Sequence, residues 1–325
     1  MKHISIVVPM GGILGGIEIA RELFGEANSY LHNKSNKALF NIQLVGAKKN
    51  VPVNDGRYLL KPDITFSELK KTDLIIIPAL NIIRELSDSP NKQLISWVKK
   101  MHTQGAEVAS LCVGAFLLAK TGLLKDRSCT THWKASDIFK ETYPDIRLMK
   151  EKIITDEDGV YSSAGGFSML NLLVYLIEKY AGREVALYCA KFFQVDLGRS
   201  AQLPFIIFQA QKEHGDQQVK QVQIFIEKNY YRRITVDELA EMLAMGRRSL
   251  ERRFKKATAN TLNEYIQRVK IEMAKKQLES GEKKINEIML DVGYSDKSTF
   301  RASFKMLTGL LPNEYRNKYH SRIAE

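Results

Sequence analysis

Apolar residues follow two rhythms along this chain, and the change of rhythm marks two kinds of architecture. Up to about residue 200, short apolar runs alternate with amphipathic stretches, which predicts strands alternating with helices. Ile4–Val8, Phe40–Val45, Asp73–Pro78 and Glu107–Leu111 are predicted strands, whereas Gly16–Leu31, Pro90–His102 and Val113–Lys120 are predicted helices, the last stopping at Gly122. Another apolar helix begins near Phe167, and the Tyr180-Ala181-Gly182 turn leads into a further one. This order predicts an α/β fold, a flavodoxin-like sandwich around a mainly parallel sheet. Ligands of such sheets bind beyond the carboxyl ends of the strands.

From residue 217 onward the pattern is helical throughout, and it occurs twice. Phe254-Lys255 recurs as Phe304-Lys305, Thr258 as Thr308, and Asn263-Glu264-Tyr265 as Asn313-Glu314-Tyr315, each at an offset of fifty. Upstream, Glu238-Leu239 aligns with Glu287-Ile288 at forty-nine, so one residue is absorbed in the turn between paired helices. After a helix at Gln217–Lys228, the first unit opens at Thr235, an N-cap with Glu238 as its capping-box partner. Gly246 permits the turn, and a second helix spans Arg247–Lys256 with Leu250 and Phe254 facing inward. A long helix at Leu262–Ser280 ends at Gly281; the second unit turns at Gly293-Tyr294-Ser295 and continues as a helix from Asp296 to Leu307. Two such modules predict an all-α domain with a double helix-turn-helix, a device that reads DNA.

Charge agrees with that reading. The 325 residues carry a formal charge of +12, and residues 216–325 hold 22 Lys and Arg against 15 Asp and Glu, leaving 27 against 22 for residues 1–215. The excess is denser where phosphate contacts are needed. Cys112, Cys129 and Cys189 are too few for a disulfide framework and fit a reducing compartment. The N-terminal apolar run stops at Pro9 without signal-peptide features. The run from Phe167 to Ile177 is too short to span a bilayer, so a cytoplasmic protein without a membrane partner is expected.

The segment Ile285–Arg316, "INEIMLDVGYSDKSTFRASFKMLTGLLPNEYR", resembles the AraC-type DNA-binding domain, and the likeness extends over Val219–Lys318. The resemblance implies two recognition helices in successive major grooves. By that likeness Arg247, Arg248, Glu251 and Arg252 on the first helix, and Lys297, Ser298 and Arg301 on the second, belong to the DNA face. Arg pairs bidentately with guanine and Glu accepts from cytosine. Lys255, Lys256, Lys305 and Arg316 are expected on phosphates. For any single lysine the competing reading is a solvated surface charge. The family often has Arg where Ala302 stands and Gly where Ala259 stands; a left-handed backbone at 259 would strain alanine.

Chemistry in the first two-thirds centres on Cys112. A strand ends at Leu111, a helix follows at once, and Gly114 leaves room for a sharp turn, the pattern of a nucleophile elbow. A helix start should lower a thiol pKa. The stretches "SLCVGAFLLAKTGLL" (110–124), "TTHW" (130–133), "SSAGG" (162–166) and "SAQLPF" (200–205) resemble the class I glutamine-amidotransferase-like, or PfpI-type, domain fused to AraC-type domains in regulators. The likeness covers His3–Phe205 and implies an effector-sensing, dimerising domain. Candidate effector contacts are Cys112, Val113, His132, Ser163, Gly165 and Glu18, with Glu22 as the alternative to Glu18. Val113 stands where peptidase-like relatives have a catalytic His, and Ala79-Leu80-Asn81 replaces glycines that shape an oxyanion hole.

The chain therefore reads as a sensor domain (1–205), a linker (206–216) and a DNA-binding domain (217–325). The expected function is a sequence-specific transcription regulator, not an enzyme, controlled by a small and by analogy nitrogen-containing metabolite. Expected partners are double-stranded DNA, a second copy of the chain and RNA polymerase; no cofactor and no metal are expected. The rival reading is a cysteine-dependent hydrolase or amidotransferase-like enzyme carrying a DNA-binding tether.

Overall fold

A computed structural model of the chain describes residues 1–88, 90–212 and 214–320. The chain divides into two compact units, Met1–Gln202 and Leu203–Glu325. In the first, the strands are β1 (Lys2–Val8), β2 (Phe40–Gly46), β3 (Val51–Val53), β4 (Tyr58–Leu60), β5 (Ile64–Thr65), β6 (Leu74–Ile77), β7 (Glu107–Ser110), β8 (Ser128–Cys129), β9 (Arg147–Leu148), β10 (Ile154–Glu157) and β11 (Val160–Ser163). Its helices are α1 (Leu14–Ser35), α2 (Ile82–Asp88), α3 (Lys92–Thr103), α4 (Ala115–Lys120), α5 (Ser136–Thr142), α6 (Ser168–Ala181) and α7 (Arg183–Phe192). The second unit contains α8 (Gln217–Lys228), α9 (Val236–Met242), α10 (Arg247–Thr258), α11 (Leu262–Ser280), α12 (Ile285–Asp291), α13 (Lys297–Thr308) and α14 (Pro312–Tyr319).

Seven strands form one sheet in the order β10-β11-β7-β6-β1-β2-β5. Every pairing in it is parallel except β10 with β11. Parallel strands are buried on both faces, which is why β6 reads as the unbroken apolar run Leu-Ile-Ile-Ile. Successive side chains point to opposite faces. Leu74 and Ile76 thus join one core with Phe24, Leu172 and Leu176, while Ile75 and Ile77 join the other with Trp97, Phe116 and Phe139. The order reverses between β1 and β6, and the loops beyond their carboxyl ends are laced together: Asn81 N–H donates to Gly11 O at 2.9 Å and Ile13 N–H to Ala79 O at 2.9 Å.

In the second unit the sequence repeat becomes a repeat of contacts. Thr258 and Thr308 each donate a hydroxyl back to the carbonyl four residues earlier, Phe254 at 2.9 Å and Phe304 at 2.8 Å. Tyr265 and Tyr315 each pack edge-on against that phenylalanine, and their hydroxyls donate to Glu227 (2.8 Å) and Glu279 (2.7 Å). Phe254 sits in the first helical core and Phe304 in the second, and α11 contributes side chains to both.

Two local expectations are corrected. Gly246 does not supply the turn's special backbone; it is the extended N-cap of α10 (φ −67°), and the left-handed residue is Ala244 (φ 49°). Glu238 does not close a capping box on Thr235. The Thr235 hydroxyl does accept from Glu238 N–H, but the Glu238 carboxylate is held by Arg232 at 2.5 Å. The expectation for Ala259 holds, since it ends α10 in the left-handed region (φ 56°), where the second repeat has Gly309 (φ 74°). Likewise Ala244 stands where the second repeat has Gly293 (φ 72°). A Cβ on Gly293 would meet Lys270 Nζ at 2.6 Å and Tyr231 O at 2.7 Å.

A left-handed alanine costs about 1–2 kcal/mol, partly offset by glycine's greater freedom when unfolded. Ala244→Gly and Ala259→Gly are each expected to raise the unfolding free energy of the second unit by about 0.5–1 kcal/mol, additively because they occupy separate turns. Gly293→Ala is expected to lower it. Urea denaturation measures all three, and a destabilised Ala259→Gly variant would contradict the backbone described here.

Candidate functional site

The first site is built where β7 runs into α4. Cys112 takes the left-handed conformation (φ 56°), a strained geometry for a non-glycine residue. The turn is possible because Gly114 lies directly on the neighbouring strand: a Cβ there would meet Ile77 O at 2.6 Å and Pro78 O at 2.7 Å. Gly114 is therefore demanded by close approach, not by its own φ. Ser163, at the end of β11, accepts a hydrogen bond from Cys112 N–H at 3.4 Å, and the Thr131 hydroxyl donates to Cys112 O at 3.0 Å. Elbow, β11 end and Thr131–His132 loop thus converge on one residue.

His132 and Gly165 are joined by shape. A Cβ on Gly165 would fall 1.7 Å from His132 Cδ2, so the ring needs a glycine beneath it. The imidazole is not free to act as a base toward the thiol. Its Nδ1 accepts from Lys134 N–H at 3.0 Å, making His132 the N-cap of the turn at 133–135. Burial, and secondarily the Lys134 charge, push its pKa down. Among the described residues, no hydrogen bond joins His132 to Cys112.

The expected low thiol pKa is overturned. Burial pushes the Cys112 thiol up, and the opposing backbone N–H groups of Val113 and Gly166 are too weak to reverse it. Desolvation of a thiolate outweighs one short turn of helix, because the helix-terminus effect is modest. In the Ala79-Leu80-Asn81 segment, the Asn81 N–H donates to Gly11 O at 2.9 Å. Glu18 and Glu22 both bind Arg21 on α1, at 2.8 and 2.5 Å. Glu18 has no hydrogen bond to Cys112 among the described residues. A separate cavity of about 360 Å³ opens beyond β1 and β2, lined in part by Val8, Met10, Lys48, Phe66, Asn91 and Lys92, none of them foreseen from the sequence.

The second site is the outer face of α10 and α13. Arg247, Arg248, Arg252, Lys255 and Lys256 are exposed on α10, as are Lys297, Ser298, Arg301 and Lys305 on α13. Glu251 is half-buried and pairs with Arg247 at 3.3 Å, while Arg247 also reaches Asp237 at 3.3 Å. Arg316 is half-buried, and its guanidinium donates to Lys283 O at 2.6 Å, joining α14 to the turn before α12. Arg253, which the sequence reading passed over, holds the α8 cap Asp216. Helix α11 positions both reading helices, through Tyr265 against Phe254 and through Gln267 donating to Ser303 at 2.9 Å.

Comparison with known proteins agrees with this two-part construction. Residues 27–179 match the DJ-1/PfpI family, and residues 239–318 match a helix-turn-helix domain. The chain thus carries a DJ-1/PfpI domain followed by a helix-turn-helix domain, the order expected of AraC-type regulators with an N-terminal PfpI-type domain. Among similar proteins of Pseudomonas aeruginosa, the HTH-type transcriptional regulator CdhR is 27% identical over 78% of this chain and 75% of its own length. The HTH-type transcriptional regulator ArgR is 27% identical over 68% and 67%. The crystal structure of an AraC family transcriptional regulator from Pseudomonas putida covers 59% of this regulator and all of that chain, with TM-score 0.50 at 18% identity. That likeness concerns the fold alone.

The raised thiol pKa has a direct consequence. A thiol must lose its proton to attack an alkylating agent, so a raised pKa slows the reaction at neutral pH. Cys112 of the regulator should react with iodoacetamide more slowly than free cysteine at pH 7–8, its rate climbing only in alkaline solution. Peptide-resolved labelling measures this, and faster-than-cysteine labelling at neutral pH would contradict it.

Proposed function

We propose that this regulator is controlled by a small molecule seated beside Cys112, His132, Ser163 and Gly165. The single observation that supports the reading is the construction of that site. A strained, half-buried cysteine has its backbone held by the Ser163 and Thr131 hydroxyls and its thiol beside the Val113 and Gly166 N–H groups, yet its neighbouring imidazole is tied to Lys134. Such a site binds without a nucleophile–base pair to turn a substrate over. The effector we assign is a small nitrogen-containing metabolite, following the resemblance of the first unit. Glu18, paired with Arg21 at 2.8 Å, is a further candidate contact of this seat.

The effector acts on DNA reading. Arg248 and Arg252 on α10, and Lys297, Ser298 and Arg301 on α13, face base edges; Lys255, Lys256 and Lys305 hold phosphates. Arg247 and Glu251 enter as a pair, so Glu251 accepts from a cytosine only after Arg247 turns to the backbone. The regulator works as a homodimer in the cytoplasm, presenting four reading helices beside RNA polymerase. An effector shifts this equilibrium only to the extent that it binds the two states unequally.

Thermal-shift screening of the full chain against nitrogen-containing metabolites tests the proposal. At an effector concentration about 100 times its Kd, binding stabilises by roughly 2.7 kcal/mol, a shift of several degrees. Cys112→Ala is expected to reduce that shift while leaving affinity for DNA in the absence of effector unchanged. A hit whose shift survives Cys112→Ala undiminished places the effector elsewhere, and turnover of the hit lost on Cys112→Ala makes the protein an enzyme.

A further inference from the structure

The motif Ser200–Phe205 has no role in the account so far, although Gln202 is among the most heavily bonded side chains of the first unit. Only 2% of it is exposed. Its Oε1 accepts from Trp133 N–H at 3.1 Å, and its Nε2 donates to Thr131 O at 3.0 Å and Lys150 O at 2.8 Å. Its own N–H donates to Glu151 O at 2.9 Å. Gln202 therefore grips the backbone on both sides of His132. Thr131 also holds the Cys112 carbonyl, and His132 lies on Gly165. The last residue of the first unit is fastened to the loop that walls the proposed effector seat.

The chain then enters the second unit as a single helical turn, Leu203–Phe205, followed by a strap without regular structure, not a loose tether. Leu203 lies against Gly309, at the end of α13. Phe205 packs edge-on against Tyr319, with Lys318 Nζ 4.9 Å from its ring centroid. Ile206 O accepts from Lys275 Nζ at 2.6 Å, and Phe208 N–H donates to Glu272 Oε2 at 3.1 Å. Lys275 and Glu272 bind each other at 2.7 Å, and their side chains are only 5% and 14% exposed. A charged pair so deeply buried is costly unless its remaining hydrogen-bonding groups are met, and here the strap's backbone meets them. Phe208 then packs against Tyr265, and Asn260 Nδ2 donates to Gln211 Oε1 at 2.9 Å. Nine residues, 203–211, thus touch the end of α13, the length of α11 and the core behind α10.

We infer that Gln202 is a positioning residue that passes occupancy of the Cys112–His132 seat into the 203–211 strap, which braces the two reading helices. The inference rests on the effector reading proposed above. An occupant that displaces the His132 loop moves the carbonyl and amide that hold Gln202. Leu203 follows at once in the sequence, so no slack absorbs the displacement before it reaches the bond pair at Ile206 and Phe208. Coupling of this kind needs an element with two arrangements that both sites bias, and the strap, gripped or released by Lys275 and Glu272, is that element.

Hydrogen exchange of the full-length protein, followed peptide by peptide, tests this with a covalent occupant. Iodoacetamide in mildly alkaline solution places an acetamide group on Cys112; Cys129 and Cys189 are fully buried, and Cys112→Ala serves as the control. The expected result is faster exchange at residues 131–133 and at 206–211, by about fivefold or more, the lower end of ordinary site-to-site coupling. In Gln202→Ala the change at 131–133 should persist while that at 206–211 disappears, a separation that a merely structural role would not produce. Should Gln202→Ala fail to fold, Lys275→Met breaks the path on its far side and must uncouple 206–211 in the same way. A response confined to 131–133 in the wild-type chain overturns the inference and leaves the effector seat standing. A wild-type strap that responds equally in Gln202→Ala overturns the role of Gln202. No response at either segment overturns the inference together with the seat itself.

Discussion

Two helices that are to read neighbouring grooves must be held at a fixed separation, and in this regulator α11 is the element bonded to both α10 and α13. Its 19 residues span about 28 Å at 1.5 Å each. A Thr261–Glu264 capping box starts it and left-handed Gly281 ends it, so both ends are pinned. Along its length Tyr265 fixes Phe254 behind α10, Gln267 fixes Ser303 in α13, and Lys270 donates to Gly293 O at 3.0 Å in the second turn. Lys270 and Lys275 are nearly buried, which lysine tolerates only where backbone carbonyls or an acid receive its protons. Burial also pushes the Lys270 pKa down. Polar groups on a buried helix specify one geometry where a purely apolar face would permit several, and here they lock reading helices to one spacing.

In the first unit the governing contest is between burial and helix-start electrostatics at Cys112. Close packing of Gly114 on Ile77 and Pro78 forces the elbow, and the elbow forces the thiol inward. Once there, desolvation outweighs the Val113 and Gly166 N–H groups. The same crowding brings His132 over Gly165 but leaves its Nδ1 committed to Lys134. The fold thus retains a shaped site whose thiol is pushed up by burial, a combination that suits the sensing role proposed above. This is how one architecture serves chemistry in some chains and recognition in others.

Much of this was legible in the sequence, and the failures have common causes. Helices α8 and α11 begin and end where the pattern placed them, because Asp216, Thr261 and Gly281 are strong boundary signals. The elbow at Cys112 and the left-handed strain at Ala259 were also visible, since both follow from backbone sterics that residue identity reports directly. Strands β10 and β11 were missed. Their few residues mix Thr, Asp, Glu and Ser with apolar positions, and only pairing makes them strands, β11 with β7 and β10 with β11. The thiol pKa was misjudged because sequence shows a helix start but not how much water is lost around it. The partner of Glu238 was not legible because a charged side chain's partner depends on the nearest unmatched group, Arg232 here. The docking of residues 203–211 had no sequence signal, since its partners on α11 lie about sixty residues away.

Two cationic helices held one groove repeat apart should select paired half-sites, and enrichment of bound duplexes from a random pool by the full-length protein checks that spacing. Two short preferred motifs per chain are expected, about 10–10.5 base pairs between centres. In Arg252→Ala, one position of a single motif should relax at a cost of about 1–3 kcal/mol. Enrichment of no sequence at physiological salt, or of one motif with no partner at that spacing, would contradict it.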